Sequence, residues 1–249
     1  MKTNGRSVGL IALATALVVM GGAPAFSQMS GEAKPAAKLS PILSDRDVDP
    51  IRLLPPPAAD GIPVANAELA ELHKVQDART PAELEKAIYN DKHESAAVFA
   101  KVLGPNFDLD KLPATAKLLA QVHADDSAAA KRAKDAFKRM RPYGLDATVI
   151  GCPHAEGKPL TSYPSGHATM GFTAATVLAD LIPEKAKDIQ AFAADYGHDR
   201  MVCGHHYRSD VVAGEVLGAV VGVQLLHSPA LKSDIDAARA ELRAAGLTH

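Results

Sequence analysis

The chain has 249 residues, of which 47% are hydrophobic and 22% charged, with a formal net charge of -2. That balance excludes a disordered polyelectrolyte and leaves no basic surplus for holding a nucleic acid polymer. It suits one folded domain with a sizeable core, since single domains run to about 250 residues.

Lys2 and Arg6 precede an apolar run from Val8 to Met20 and the small-residue stretch Gly21-Gly22-Ala23-Pro24-Ala25. This is the pattern of a secretory signal peptide over residues 1–25, with cleavage after Ala25; a cut after Ser27 also meets the small-residue rule. The run is shorter than the roughly 20 residues a bilayer span needs, which argues against an uncleaved anchor. A periplasmic address follows, with an extracellular one as the variant. Residues 26–50, rich in Ser, Pro, Lys and Asp and lacking an apolar period, are expected to form an exposed arm, and residues 51–249 the folded domain. Leu53-Leu54-Pro55-Pro56-Pro57 reads as a stiff polyproline segment or a strap packed on the domain.

From Asn66 the sequence is Ala- and Leu-rich, with helical spacing interrupted by prolines. The expected fold is all-α, a single-domain helical bundle. Its helices are expected near Ala67–Asp77, Pro81–Leu103, Ala114–Ala124, Ser127–Met140, Gly166–Leu181, Glu184–Val202, Ser209–His227 and Lys232–Ala245. Val211–Leu226, the most apolar segment after the N-terminus, is short and carries Glu215, so no stable membrane insertion is expected. Cys152 and Cys203 form an even pair; in an exported chain they are a disulfide or two buried thiols. Monomer and homo-oligomer are both left open.

Three segments carry candidate chemistry. Lys134 and Arg141 lie seven residues apart, about two helical turns, so both could project from one face and grip one anion, with Pro142 ending the helix. The neighbouring Lys131, Arg132, Lys138 and Arg139 read as a solvated charged face. Tyr163-Pro164-Ser165-Gly166-His167 opens a helical pattern, and a glycine turn before a helix offers free backbone N–H groups to an anion. Ser165 could donate its hydroxyl there, or act as an ordinary N-cap. Last come Arg200, His206 and Asp210; a carboxylate four residues after an imidazole could fix its tautomer and leave the other nitrogen free to attack. Taken singly, such a His–Asp pair is more often a surface pair.

Together the three segments read Lys-x6-Arg-Pro, Pro-Ser-Gly-His and Arg-x5-His-x3-Asp, in that order. This resembles the phosphatidic acid phosphatase type 2 (PAP2) superfamily, and within it the class A bacterial nonspecific acid phosphatases, which share the Leu-Pro-Pro-Pro segment and the Tyr-Pro-Ser-Gly-His wording. The resemblance runs from about Leu53 to Leu226. It implies hydrolysis of small-molecule phosphate monoesters, without metal or cofactor, through a phosphohistidine. Lys134, Arg141, Ser165, Gly166 and Arg200 would bind phosphate; His206 would be the nucleophile, Asp210 its orienting partner and His167 the general acid. A bell-shaped pH profile is expected, because His206 must be neutral and His167 protonated. The alternatives are a vanadium-dependent haloperoxidase and a phosphatase of lipid phosphates.

One position departs from the family pattern. Asp199 stands where the family has serine, and is expected to pair with Arg200 or repel phosphate. His198 and His205 flank the same segment; they either line the pocket or, as is expected first, lie at the surface. Tyr143, Tyr163 and Tyr207 are expected near the pocket, stacked on a leaving group.

Overall fold

The computed structural model describes residues 39–153 and 160–249; the expected signal peptide lies outside them. In chain order the helices are α1 (Pro50–Leu53), α2 (Pro63–Ala78), α3 (Pro81–Lys92), α4 (Ala100–Leu103), α5 (Pro113–Phe137), α6 (Pro142–Leu145), α7 (Gly166–Leu181), α8 (Ala186–Val202), α9 (Arg208–Leu226) and α10 (Lys232–Ala244). Single 3-10 turns cover Ala96–Phe99, Pro183–Lys185 and Pro229–Leu231. Among the described residues there is no strand, as the helical periodicity implied.

Local chemistry sets several ends. Proline fills the first helical position of α2, α3 and α5, where its missing N–H costs nothing. Thr80 and Glu83 form a capping box at the start of α3. Ser165 caps α7 by accepting from the Ala168 amide at 3.3 Å.

Two expected helices merge in α5. Asp125-Asp126-Ser127 looks like a break, but tertiary partners override it: Asp125 Oδ1 accepts from the amides of Ile42 and Leu43, each at 2.7 Å, and Asp126 is buried. Residues 42–43, within the stretch read as an arm, are thereby tied along α5. In the other direction, the single helix expected over Pro81–Leu103 ends at Lys92 and resumes as a 3-10 turn and α4.

The core is a layer of α5, α7 and α9, with α8 and α10 packed on α7 and α5. α9 lies directly on α7 because Gly214, Gly218 and Gly222 face it. A Cβ at Gly218 would sit 2.4 Å from the Thr169 carbonyl oxygen, and one at Gly214 2.6 Å from that of Ser165. At 19 residues, α9 is longer than its apolar run suggests, and has the length and apolarity of a membrane span, yet half of it is buried inside the domain. Gly218→Ala is expected to destabilise the protein by about 1–3 kcal/mol through overpacking, read as a lower denaturant midpoint at unchanged slope. Wild-type stability in this variant would mean that the two helices part without cost.

Candidate active site

The three sequence segments meet in a cavity of about 510 Å³, whose lining includes Lys134, Arg141, Gly166, His167, Arg200 and His206. Lys134 and Arg141 reach it differently from the expected helical face. α5 stops at Phe137, Lys138 takes a left-handed conformation (φ 47°), and Arg141 is the N-cap of α6. A tight helix exit, not two turns of helix, brings the pair together. Lys134 Nζ donates to the carbonyls of Thr161 (2.7 Å) and Pro164 (2.5 Å). Burial, with Arg141 next in weight, pulls Lys134 down to about 7.

His206 precedes α9, after the Gly204 turn (φ 66°). Its Nδ1 lies 3.5 Å from Asp210 Oδ2, while Arg141 Nη1 approaches its Nε2 at 3.3 Å. Burial and the cations Arg141, Lys134 and Arg200 hold the imidazole well below its ordinary pKa, so it is neutral. Asp210 is fully buried. Its Oδ1 accepts from Arg139 Nη1 at 2.7 Å, and its Oδ2 from Ser162 Oγ (2.5 Å) and the Tyr207 amide (2.9 Å). Burial pushes the Asp210 carboxyl up, and Arg139 and these hydrogen bonds act against it.

Arg139 is a residue that sequence reasoning missed. Read as part of a solvated face, it is 5% exposed; besides Asp210 it pairs with Glu68 at 2.7 Å and lies 4.1 Å over the Tyr207 ring. Asp91 is another. Its Oδ1 accepts from Arg200 Nη1 at 2.6 Å, and although burial opposes it, His205 and Arg200 hold its carboxyl far below the usual range. Nothing in the order of residues around 91 marks it, because it belongs to no motif segment.

Four expectations need correction. His205 is not at the surface: it is 2% exposed, its Nδ1 accepts from Arg200 Nη2 at 2.7 Å, and its Nε2 faces the Cys152 carbonyl at 3.2 Å. Asp199 neither pairs with Arg200 nor faces the cavity; its carboxylate takes Asn90 Nδ2 at 2.6 Å and Lys86 Nζ at 3.1 Å, on α3. Tyr163 points to the strap, donating to the Pro55 carbonyl at 2.6 Å, and Tyr207 packs under Arg139. Of the three tyrosines only Tyr143 lines the cavity. His198 is exposed, as read.

At the N-terminus of α7, Gly166 and His167 form the cavity wall, while Ser165 is fully buried behind them as the cap. The Ser165 amide donates to the Asp210 carbonyl at 2.9 Å, which ties this cradle to α9. His167 Nε2 meets the Asp91 carbonyl at 3.2 Å, a group left open because α3 ends one residue later. Burial, then Arg200, bring His167 down to about 4. Cys152 and Cys203 form a disulfide, which ties the loop after α6 to the end of α8 beside the site.

Lys134, Arg141 and Arg200, with the three histidines His167, His205 and His206 and the N-terminus of α7, surround one cavity suited to an anion, and residues 115–233, which hold nearly all of it, match the PAP2 superfamily. The chain carries a PAP2 superfamily domain over that stretch. More particularly, an acid phosphatase of Zymomonas mobilis is 29% identical over 247 residues, covering 96% of this chain and 91% of that protein. A non-specific acid phosphatase of Salmonella typhimurium is 32% identical over 150 residues, 59% of this chain and 60% of that protein. Among solved structures, LpxE of Aquifex aeolicus superposes with a TM-score of 0.52 at 24% identity, over 64% of this chain and 94% of that one. A bacterial vanadium-dependent iodoperoxidase superposes with a TM-score of 0.59 at 18% identity, over 75% of this chain and 54% of that one. These two likenesses concern the fold.

Proposed function

We propose that this PAP2-superfamily phosphatase is an exported, nonspecific acid phosphatase that hydrolyses phosphate monoesters through a phosphohistidine at His206, using fixed cations in place of metal ions. The observation that carries this reading is the placement of His206: Nδ1 toward Asp210, Nε2 toward a cavity walled by Lys134, Arg141 and Arg200. The three cations and the first amides of α7 bind the phosphoryl oxygens and stabilise charge as the transition state forms.

In the first step Nε2 of neutral His206 bonds to phosphorus, the ester P–O bond breaks, and the proton on His167 passes to the leaving alkoxide. In the second, water attacks phosphorus, His167 takes a proton from it, and the P–N bond breaks. Burial above all holds both His167 and His206 below their ordinary pKa, which keeps His206 neutral and moves protonation of His167 toward acid pH. Phosphate in the cavity raises His167 and Lys134 by supplying the missing negative charge. The signal-peptide pattern and the Cys152–Cys203 disulfide support a periplasmic address.

Turnover of p-nitrophenyl phosphate is expected to persist undiminished in excess chelator. Loss of turnover on chelation, or bromide oxidation with vanadate and peroxide in place of hydrolysis, overturns the reading.

A further inference from the structure

We infer that Glu94 is a positioning residue for the general acid, holding the proton on His167 Nδ1 for the leaving group; this rests on the role of His167 proposed above. The end of α3 at Lys92 creates the arrangement. It opens the Asp91 carbonyl, which engages His167 Nε2 at 3.2 Å, so the working proton belongs on Nδ1. Two residues beyond the helix, Glu94 Oε1 lies 3.5 Å from that Nδ1 and 3.2 Å from where a Cβ on Gly166 would sit. Glu94 is therefore a carboxylate at the cavity wall, beside the anion cradle, facing the nitrogen that must be charged.

The separation suits that task. At 3.5 Å Nδ1–H is attracted by the carboxylate without being consumed in a short hydrogen bond, so the proton stays available to a leaving oxygen. The other groups around the pair divide by sign. Arg200 on α8 and Lys134 on α5 disfavour a charged His167 or draw on Glu94, and Asp91 on α3 favours the charge. His123 and Asp126 on α5 and Tyr196 on α8 feel Glu94 as well. The Tyr196 ring stacks on His167 with centroids 5.8 Å apart, which fixes the imidazole plane. Against a buried imidazole beside Arg200, Glu94 is the carboxylate that restores the acid form.

The test compares Glu94→Gln and His167→Ala on p-nitrophenyl phosphate and on an alkyl phosphate. Glu94 is part-exposed, with its side chain 41% accessible, so the isosteric amide is expected to melt like the wild type. Glu94→Gln is expected to slow the alkyl phosphate by roughly tenfold, a part of the 10²–10⁴ that a general acid supplies, and to spare p-nitrophenyl phosphate. Its basic limb of kcat against pH moves down by about half a unit or more, because a neutral partner no longer favours the imidazolium. Glu94→Asp restores part of both. Equal losses on the two substrates, or a basic limb that stays or moves up, overturn the role of Glu94. If His167→Ala itself shows no preference between leaving groups, the general-acid reading falls, and the role of Glu94 with it.

Discussion

Replacing His206 with alanine is expected to abolish turnover, a loss on the order of 10⁴–10⁶ in kcat, the range seen when an enzyme nucleophile is removed. The size follows from the site. Among the cavity-lining residues, His206 combines a neutral imidazole with one nitrogen oriented by a buried carboxylate and the other turned toward three cations. No neighbour can take its place: His205 has Nδ1 tied to Arg200 and Nε2 to the Cys152 carbonyl, and His167 lies across the cavity wall on α7. Because Lys134, Arg141 and Arg200 remain, His206→Ala is expected to bind inorganic phosphate with little loss. Labelled phosphate trapped in an acid-free quench should map to His206 in the wild type and be absent from the variant. Label on another residue would remove His206 from the nucleophile's place.

How far this site could be read in advance depended on where each residue's partner lies. α7 was legible end to end, Gly166–Leu181 as expected, because its cap and its apolar run are local. Lys134, Arg141, Gly166, His167, Arg200 and His206 were legible because their order and spacing are distinctive, even though the helical geometry inferred for the first pair is wrong. Arg139 was not legible, since its partners Glu68 and Asp210 are 71 residues away on either side and it stands in a stretch rich in basic residues. Asp91 and Glu94 stayed hidden for a related reason: the break after Lys92 that aims them at the cavity is held from outside, by Tyr196 donating to the His93 carbonyl at 2.9 Å. Asp199 shows the converse. Its departure from the family pattern is plain in the sequence, but its direction is set by Lys86 and Asn90 on α3, about 110 residues away, which adjacent residues do not reveal. The glycines of α9, by contrast, stand at intervals of four in the sequence, but close helix contact leaves no mark there beyond small size.

Arg139→Ala is expected to be the most destabilising substitution near the site, costing about 3–5 kcal/mol, because it leaves a buried carboxylate without its counter-charge. Arg139 is 5% exposed and Asp210 0%, and their contact of 2.7 Å is extended by Glu68 and Ser209. Solvent cannot replace the lost guanidinium there. The sign of the pH dependence follows from burial, which raises the Asp210 carboxyl above its unfolded value once Arg139 no longer opposes it. A raised folded pKa means that the ionised form carries the penalty, so the deficit is largest at neutral pH and shrinks as pH falls through that value. Denaturant titrations of wild type and variant across the acid range check this. A deficit that grows toward acid would mean that Asp210 is not the group left stranded. Removing both charges, in Arg139→Met with Asp210→Asn, is expected to recover part of the stability, since Asp210 is no longer an orphaned ion, while Glu68 loses Arg139 and keeps the Ser209 amide at 2.8 Å. Activity is expected to stay low in that double variant, because His206 keeps its place but loses the carboxylate that orients its ring. Recovery of both stability and turnover would separate Asp210 from catalysis and reduce the Arg139 pair to packing.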